Sequence, residues 1–174
     1  DPNITPPKYV GVVGTIGQYV HGNQPSHHVT YLYNYSGEPW KTQERVRQVC
    51  EQLYKSGPGG LCGNEDMGSL SSWYAMSAMG IYAVTPGEPV YNIGSPLFEK
   101  VVLHLPGNKS FVIQARNNTS ENKYIQSATL NGSNFNRPWI MHEEIVKGGS
   151  LVFEMGAEPN KKWGNLSPPP SMSK

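Results

Sequence analysis

The sequence predicts an α+β protein, with helices in the first half of the chain and a small antiparallel β-sheet or half-sandwich in the second. The spacing of the apolar residues supports this prediction, because their period is about 3.6 before residue 85 and about 2 after it. The 174 residues include 19 glycines and 15 prolines. That composition is typical of a loop-rich globular chain.

Three segments of the first half have helical spacing, each followed by a glycine that can end it. Their apolar stripes are Val29, Leu32 and Tyr33 in residues 25–35, Val46, Val49, Cys50 and Leu53 after Pro39, and Leu70, Trp73, Met76 and Met79 in residues 69–79. Each such helix buries one stripe and needs a partner on that side, so three helices cannot enclose a core. We therefore expect a section of a larger helical array.

Strands are predicted from alternation in the second half, over residues 101–105, 111–115, 124–130 and 150–154. Asn131-Gly132 predicts a two-residue hairpin turn. The predicted organisation is a helical unit over residues 1–84, a β unit over 85–164 and a flexible tail over 165–174. His142-Glu143-Glu144 is interpreted as a solvated turn because it lacks the H-E-x-x-H spacing of a zinc site.

Charge argues against two classes of partner. The formal net charge of +1, from 14 basic and 13 acidic residues, provides no field that would attract nucleic acid or anionic lipid. No apolar run reaches about 18 residues, and the first residues lack the features of a signal peptide, so an export signal is expected upstream. Cys50 and Cys62 lack metal-binding spacing and are either idle thiols or a disulfide.

Polar residues concentrate at two junctions between a loop and a helix. The first is His21-Gly22-Asn23-Gln24-Pro25-Ser26-His27-His28, and the second is Gly63-Asn64-Glu65-Asp66-Met67-Gly68-Ser69. Unpaired backbone N–H groups favour carboxylates and hydroxyls at such positions. Helix capping and a functional site both explain these residues: Asn23, Ser26, Asp66 and Ser69 are all suitable N-cap residues.

The adjacent carboxylates Glu65 and Asp66 favour a site, because they repel each other unless a cation or a reaction requires them. A paired acid is what metal-assisted or acid/base chemistry needs. Neighbouring side chains in a loop usually diverge, so we expect one to act chemically and the other to orient a partner. Of His27 and His28, which point about 100° apart on a helix, one is expected to contact ligand or cap the helix and the other to pack.

The strings GNQPSHHVTYLYNYSGEPWKTQ and GNEDMGSLSSWYAMSAMGIYAVTPGEPVYNIGSPLFEK resemble the C-terminal half of glycoside hydrolase family 92, the exo-α-mannosidases. The resemblance extends from about Tyr19 to Trp163. It implies that the helices are a section of an (α/α)6 barrel that bears the active site and is followed by a β unit. It also implies that the remainder of the enzyme, including an N-terminal β domain, is a partner of this chain.

The resemblance also implies roles for individual residues. Asp66 corresponds to the general base of inverting hydrolysis and Gln24 to a ligand of an active-site Ca²⁺ that would contact the hydroxyls of an α-mannoside. Asn64 stands where some members carry an aspartate, and the resemblance makes it a second candidate catalytic residue. The surrounding polar residues are candidates for substrate binding: His21, Asn23, Ser26, His27 and Glu65.

No glutamate precedes Gln24, where the family carries its general acid, so the chain is expected to supply only the base side of the site. The expected protein is an exported bacterial enzyme of the periplasm or cell surface that degrades glycans. Two alternatives remain: an inactive family member, or a carbohydrate-binding or structural fragment, which exposed Trp139 or Trp163 would favour. If the mannosidase interpretation is right, Asp66 is accessible and faces Gln24.

Overall fold

Two long helices form in the first half of the chain, as the sequence predicts. The structure, a computed structural model, describes residues 13–171. Helix α1 spans Pro39–Leu53 and helix α2 spans Ser69–Met79. Pro39 lies in the first turn of α1, where its missing N–H removes no hydrogen bond. Gly80 ends α2 with φ 95°, and its N–H donates to the carbonyls of Met76 and Ser77.

The buried face of α1 mixes apolar and polar side chains. Val46, Val49 and Cys50 pack with Trp73 of α2 in one core cluster, while Gln43 lies buried beside them. Gln43 Oε1 accepts a hydrogen bond from the N–H of Ile125, at 2.9 Å. Its burial is therefore compensated by a partner outside the helix.

The first predicted helix is wrong in both form and orientation. Residues 25–35 contain two short 3₁₀ helices, Gln24–Ser26 and Val29–Asn34, instead of one α-helix. The His27 carbonyl accepts from the Trp73 indole N–H at 3.0 Å, and the N–H of Tyr31 donates to the His28 carbonyl instead of the His27 carbonyl. Val29 and Leu32, predicted to face the core, are exposed, whereas Thr30, Tyr31 and Asn34 are buried.

Ten strands form three sheets among the described residues. They are β1 (Thr15–Ile16), β2 (Tyr19–Val20), β3 (Ile81–Tyr82), β4 (Val90–Ile93), β5 (Lys100–Leu105), β6 (Lys109–Arg116), β7 (Tyr124–Leu130), β8 (Ser133–Asn134), β9 (Trp139–Met141) and β10 (Gly149–Gly156). β1 and β2 form a hairpin, β3-β4-β9 a three-stranded sheet, and β5-β6-β10-β7-β8 a five-stranded sheet. The four predicted strands and the Asn131-Gly132 turn are confirmed.

One strand pairing departs from the antiparallel expectation. β10 lies between β6 and β7, parallel to β6 and antiparallel to β7. Alternation identifies which face of a strand is buried but not the direction of its neighbours. Leu151 and Phe153 of β10 are fully buried, as their spacing predicts.

Contacts join the predicted helical and β units closely. β3 pairs with β4 across the predicted boundary, with Ile81 opposite Ile93. Asn34 Nδ2 lies 3.1 Å from each of three acceptors, Asn92 Oδ1 and the carbonyls of Ile93 and Pro138. The two units therefore share an interface of buried polar contacts.

Two smaller expectations also change. His142-Glu143-Glu144 begins a short helix, α3 (His142–Val146), because the Glu144 carboxylate accepts from the N–H of Met141 at 2.9 Å and holds the first turn. In the predicted flexible tail, the Ser167 carbonyl accepts from the Trp139 indole at 3.0 Å, so this part of the tail is packed. Both cysteines are free. Between residues 13 and 171 no helix has the length and apolar character needed to cross a membrane.

Candidate active site

The two polar junctions lie against each other at their Gly-Asn segments, Gly22-Asn23 and Gly63-Asn64. The N–H of Asn64 donates to the carbonyl of Gly22 at 3.0 Å. A Cβ on Gly63 would lie only 2.3 Å from the Gly22 oxygen, a distance that real side chains do not tolerate. Glycine at position 63 therefore permits the backbone contact that brings the two segments together.

Gln24 and Asp66 meet at this junction. The Gln24 side-chain Nε2 donates to Asp66 Oδ2, Asp66 is exposed and Gln24 is half-buried. The expectation that Asp66 is accessible and faces Gln24 is confirmed. Because an ionised carboxylate only accepts hydrogen bonds, the amide NH₂ must face Asp66, and Gln24 Oε1 faces away from it.

A left-handed turn presents Asp66 to solvent. Asp66, Met67 and Gly68 have φ values of 37°, 59° and 85°. Such a conformation costs roughly 1 to 2 kcal/mol for each residue that carries a Cβ. The turn separates Asp66 from the helix that follows, so the expected capping role of Asp66 is not observed; the N-cap of α2 is Gly68.

Glu65 holds the first turn of α2 instead. Its Oε1 accepts from the N–H of Ser71 at 3.3 Å, and its carbonyl accepts from the N–H and hydroxyl of Ser69 at 2.7 and 3.1 Å. The carboxylate lies at the positive end of the helix dipole. The buried Glu65 Oε2 has no hydrogen-bond partner among the described residues. The two adjacent side chains therefore diverge, as expected, and contact different groups.

Two predicted substrate-binding histidines are buried. His21 has no exposed surface and His27 is 4% exposed, so neither side chain is open to solvent. Burial and the neighbouring His27 lower the pKa of His21 to about 3, and burial lowers the pKa of His27. Both rings are therefore neutral packing groups, while His28 is exposed.

The remaining predicted residues lie around the same junction. Asn23 is the N-cap of the first 3₁₀ helix, since its Oδ1 accepts from the N–H of Gln24 at 3.1 Å. Ser26 is half-buried, and Asn64 is exposed. Sequence reasoning missed Tyr19 and Tyr54, whose hydroxyls bond to His21. Tyr54 lies 33 residues from His21 in the chain, and no motif joins the two.

The tryptophans do not favour a carbohydrate-binding surface. Trp163 is 4% exposed and its indole N–H donates to the Phe135 carbonyl at 3.2 Å. Trp139 is covered by the Arg137 guanidinium, 4.2 Å from the ring centre. Trp163 is thus buried and Trp139 half-buried, so neither is the exposed tryptophan that would favour the carbohydrate-binding alternative.

The described residues do not contain a group of three His, Cys, Asp or Glu side chains that is able to hold a metal ion. Calcium takes six to eight oxygen ligands in typical protein sites. Gln24 Oε1 fits one such position as a neutral oxygen donor. The described residues thus supply Gln24 Oε1 as one candidate calcium ligand and do not supply a complete set of ligands.

Comparisons with known proteins agree on one family. The model of the glycosyl hydrolase family 92 catalytic domain matches residues 6–157. An uncharacterized secreted glycosidase of Arthroderma benhamiae is 37% identical over 146 residues, which are 82% of this chain and 19% of the relative.

Solved structures extend the likeness to the fold. A GH92 α-mannosidase from Bacteroides thetaiotaomicron, in complex with mannoimidazole, is 35% identical with a TM-score of 0.92, over 99% of this chain and 23% of that one. A GH92 inverting mannosidase from the same species is 51% identical with a TM-score of 0.86, over 91% and 22%. The chain thus spans less than a quarter of the length of these relatives, and it belongs to glycosyl hydrolase family 92.

Proposed function

We propose that this chain supplies the base side of the active site of an inverting exo-α-mannosidase. The observation that carries the proposal is the hydrogen bond from Gln24 to the exposed carboxylate of Asp66, between two Gly-Asn segments in backbone contact. Two GH92 relatives of known structure, described as an α-mannosidase and an inverting mannosidase, support the substrate class and the stereochemistry.

In this mechanism Asp66 is the general base. Its Oδ2 is fixed by Gln24, while Oδ1, which accepts no hydrogen bond from the described residues, takes a proton from the attacking water. The water then attacks the anomeric carbon from the face opposite the departing glycan, and the configuration inverts. The orientation by Gln24 selects which lone pairs face the water.

The general acid is proposed to come from sequence outside this chain. Inverting glycosidases hold their two carboxyl groups roughly 6.5 to 9.5 Å apart, so that a water fits between them. Glu65, adjacent to Asp66, points its Oε1 at the N–H of Ser71 and does not oppose the base. The chain spans under a quarter of its structural relatives, which leaves ample sequence for this residue.

The proposal includes a calcium ion with Gln24 Oε1 as one ligand. Its other ligands are expected from sugar hydroxyls, water and residues outside this chain. When bound, the ion would orient the mannose hydroxyls and favour distortion of the ring toward the oxocarbenium-like transition state. Because the two ends of the Gln24 amide differ, one side chain would hold both the ion and the base.

Asp66→Asn tests the role of the base. We use a chimera in which this chain replaces the matching segment of the 51% identical Bacteroides mannosidase. The variant keeps an oxygen that accepts from Gln24 but loses the basic group. We expect kcat for mannose release to fall by about 10² to 10⁴ with KM nearly unchanged.

Glu65→Gln is the matched control for Asp66→Asn. Its amide oxygen can still accept from Ser71, so we expect kcat within about threefold of the parent chimera. Turnover by Asp66→Asn equal to that of the parent would remove Asp66 from the mechanism. An inactive parent would favour the alternative of a silent family member.

Removal of calcium tests the metal proposal in the same chimera. We expect EDTA to abolish mannose release and added Ca²⁺ to restore it, with Gln24→Ala raising the Ca²⁺ needed for half-maximal activity by about tenfold or more. Activity that is indifferent to EDTA would exclude the ion.

We also infer export to the periplasm or cell surface, since the Arthroderma relative is described as secreted. The expected substrates are α-mannoside glycans located outside the cell. Fractionation of the source cells checks this: activity confined to the cytoplasm would contradict it.

A further inference from the structure

A buried histidine lies between two tyrosine hydroxyls behind the candidate site. His21 has no exposed surface. Its Nδ1 lies 2.7 Å from the Tyr19 hydroxyl and its Nε2 lies 2.7 Å from the Tyr54 hydroxyl. Both distances are those of good hydrogen bonds, so each ring nitrogen is bonded.

A neutral imidazole has one N–H, so two proton orders satisfy both ring nitrogens. In one order, His21 Nε2–H donates to the Tyr54 oxygen, the Tyr54 hydroxyl donates to the Leu70 carbonyl at 3.2 Å, and the Tyr19 hydroxyl donates to Nδ1. In the other order, Nδ1–H donates to the Tyr19 oxygen, the Tyr19 hydroxyl donates to the Ser26 carbonyl at 3.2 Å, and the Tyr54 hydroxyl donates to Nε2. Only the first order continues the hydrogen bonds from His21 to helix α2.

The hydrogen bonds of Tyr19, His21 and Tyr54 connect the segment that carries Gln24 with the first turn of α2. At one end, Tyr19 and His21 immediately precede Gly22-Asn23-Gln24. At the other end, Leu70 lies in the first turn of α2, directly after the turn that presents Asp66. A parallel path runs from His27 Nε2–H to the His21 carbonyl at 3.2 Å and from the Trp73 indole to the His27 carbonyl at 3.0 Å.

We propose that His21 is a positioning residue, whose neutral, Nε2-protonated ring ties the Gln24 segment to the first turn of α2 and thereby sets the Gln24–Asp66 contact. The importance of that contact for catalysis rests on the proposed function. The positioning itself does not, because it concerns only contacts within this chain. A residue held in this way does not belong to a sugar-binding subsite.

The first test reads the tautomer of His21 by NMR on the chain with ¹⁵N-labelled histidine. We expect Nε2–H at neutral pH. In Tyr54→Phe, Nε2–H loses its acceptor, so we expect the proton on Nδ1, donating to Tyr19, while the Tyr19 hydroxyl turns to the Ser26 carbonyl. A wild-type Nδ1–H ring, or a tautomer that Tyr54→Phe leaves unchanged, would overturn the proposal.

The second test reads the position of Gln24 through its side-chain NH₂ resonances. Asp66→Ala, which removes the acceptor, gives the reference shifts for a lost Gln24–Asp66 hydrogen bond. We expect Tyr54→Phe to move the Gln24 signals most of the way to that reference. A switched tautomer with unmoved Gln24 signals would show a merely structural histidine and refute positioning.

Tyr74→Phe is the control for both measurements. The Tyr74 ring lies against Tyr54, with centroids 4.7 Å apart, but its hydroxyl forms no hydrogen bond to the described residues. We expect an unchanged tautomer and unchanged Gln24 signals; changes as large as those of Tyr54→Phe would assign the effect to ring packing and overturn the proposal. Neither measurement requires activity, so failure of the mannosidase proposal would leave these outcomes readable.

Discussion

Adjacent carboxylates at residues 65 and 66 reach different surroundings because the backbone turns between them. Glu65 bonds to the N–H of Ser71 inside the first turn of α2, whereas Asp66 lies exposed against Gln24. The left-handed φ of Asp66 and Met67 produces this divergence. The two carboxylates therefore have different partners although they are adjacent in the sequence.

At the same scale, His21 makes stability depend on pH. Its pKa is lowered to about 3 by burial and by His27, while an unfolded histidine titrates near 6.5. The unfolded chain therefore binds a proton below about pH 6.5 that the folded chain does not, and stability falls as pH falls. Between pH 7 and pH 5 we expect a loss of about 2 kcal/mol in the free energy of unfolding through His21.

Urea denaturation at the two pH values, for wild type and His21→Phe, checks this prediction. The phenyl ring keeps the packing against Trp73 and His27 but does not titrate. The Tyr19 and Tyr54 hydroxyls that face His21 stay neutral over this range, since burial raises the pKa of both. His27 contributes a loss of the same sign to both proteins. Equal pH dependence in the two would show that His21 is protonated when folded.

At the scale of elements, the contact between the two Gly-Asn segments sets the site. Gly63→Ala would place a Cβ 2.3 Å from the Gly22 oxygen and 2.4 Å from its Cα, so the segments must separate. We expect a loss of about 1 to 3 kcal/mol in the free energy of unfolding. In the mannosidase chimera, kcat should fall by at least about tenfold, because Gln24 and Asp66 move apart.

Gly59→Ala is the control for Gly63→Ala. A Cβ at Gly59 has nothing within 4 Å, and the residue is four positions away in the same loop. Its stability and turnover should match those of the parent. A Gly63→Ala protein with full activity would show that the segments can separate without disturbing the site.

The elements predictable from sequence are those whose signals are local. Pro39 and Gly80 bound their helices as expected, and Asn131-Gly132 turns between β7 and β8, with φ of 51° and 81°. The helix predicted for residues 25–35 was wrong, and in the structure the backbone of this segment bonds to a distant partner, the Trp73 indole. The spacing of apolar residues within a segment carries no information about a contact with a residue so distant in the chain.

The same distinction holds for the site. The Gln24–Asp66 contact was expected from the family resemblance, which implies that both residues belong to one active site. The burial of His21 and the roles of Tyr19 and Tyr54 were not, since they depend on how β2, α1 and α2 pack together. The residue type of His21 suggested contact with a ligand, whereas packing buries its side chain completely.

At the scale of the whole molecule, the helical part depends on the β part. The β core contains 14 buried apolar residues and the cluster around Trp73 contains five. Arg47 of α1 joins them, donating to the Pro96 carbonyl, to Ser95 Oγ at 3.1 Å and to Asn118 Oδ1 at 2.6 Å. A small core with a buried cation at its edge needs those acceptors to stay folded.

Arg47→Met should therefore uncouple the two parts, which hydrogen exchange of two indole N–H groups can measure. Trp73 donates to His27 in the helical part, and Trp163 donates to Phe135 in the β part. In wild type we expect both indoles to exchange with the same opening free energy. In Arg47→Met, the opening free energy at Trp73 should fall by about 2 to 4 kcal/mol and that at Trp163 by clearly less, since the larger core remains intact. Arg45→Met should change neither opening free energy. It removes an exposed arginine of the same helix, which among the described residues bonds only to neighbouring Gln48 and Glu44. Equal losses at the two indoles in Arg47→Met would show that the helices and sheets unfold as one unit.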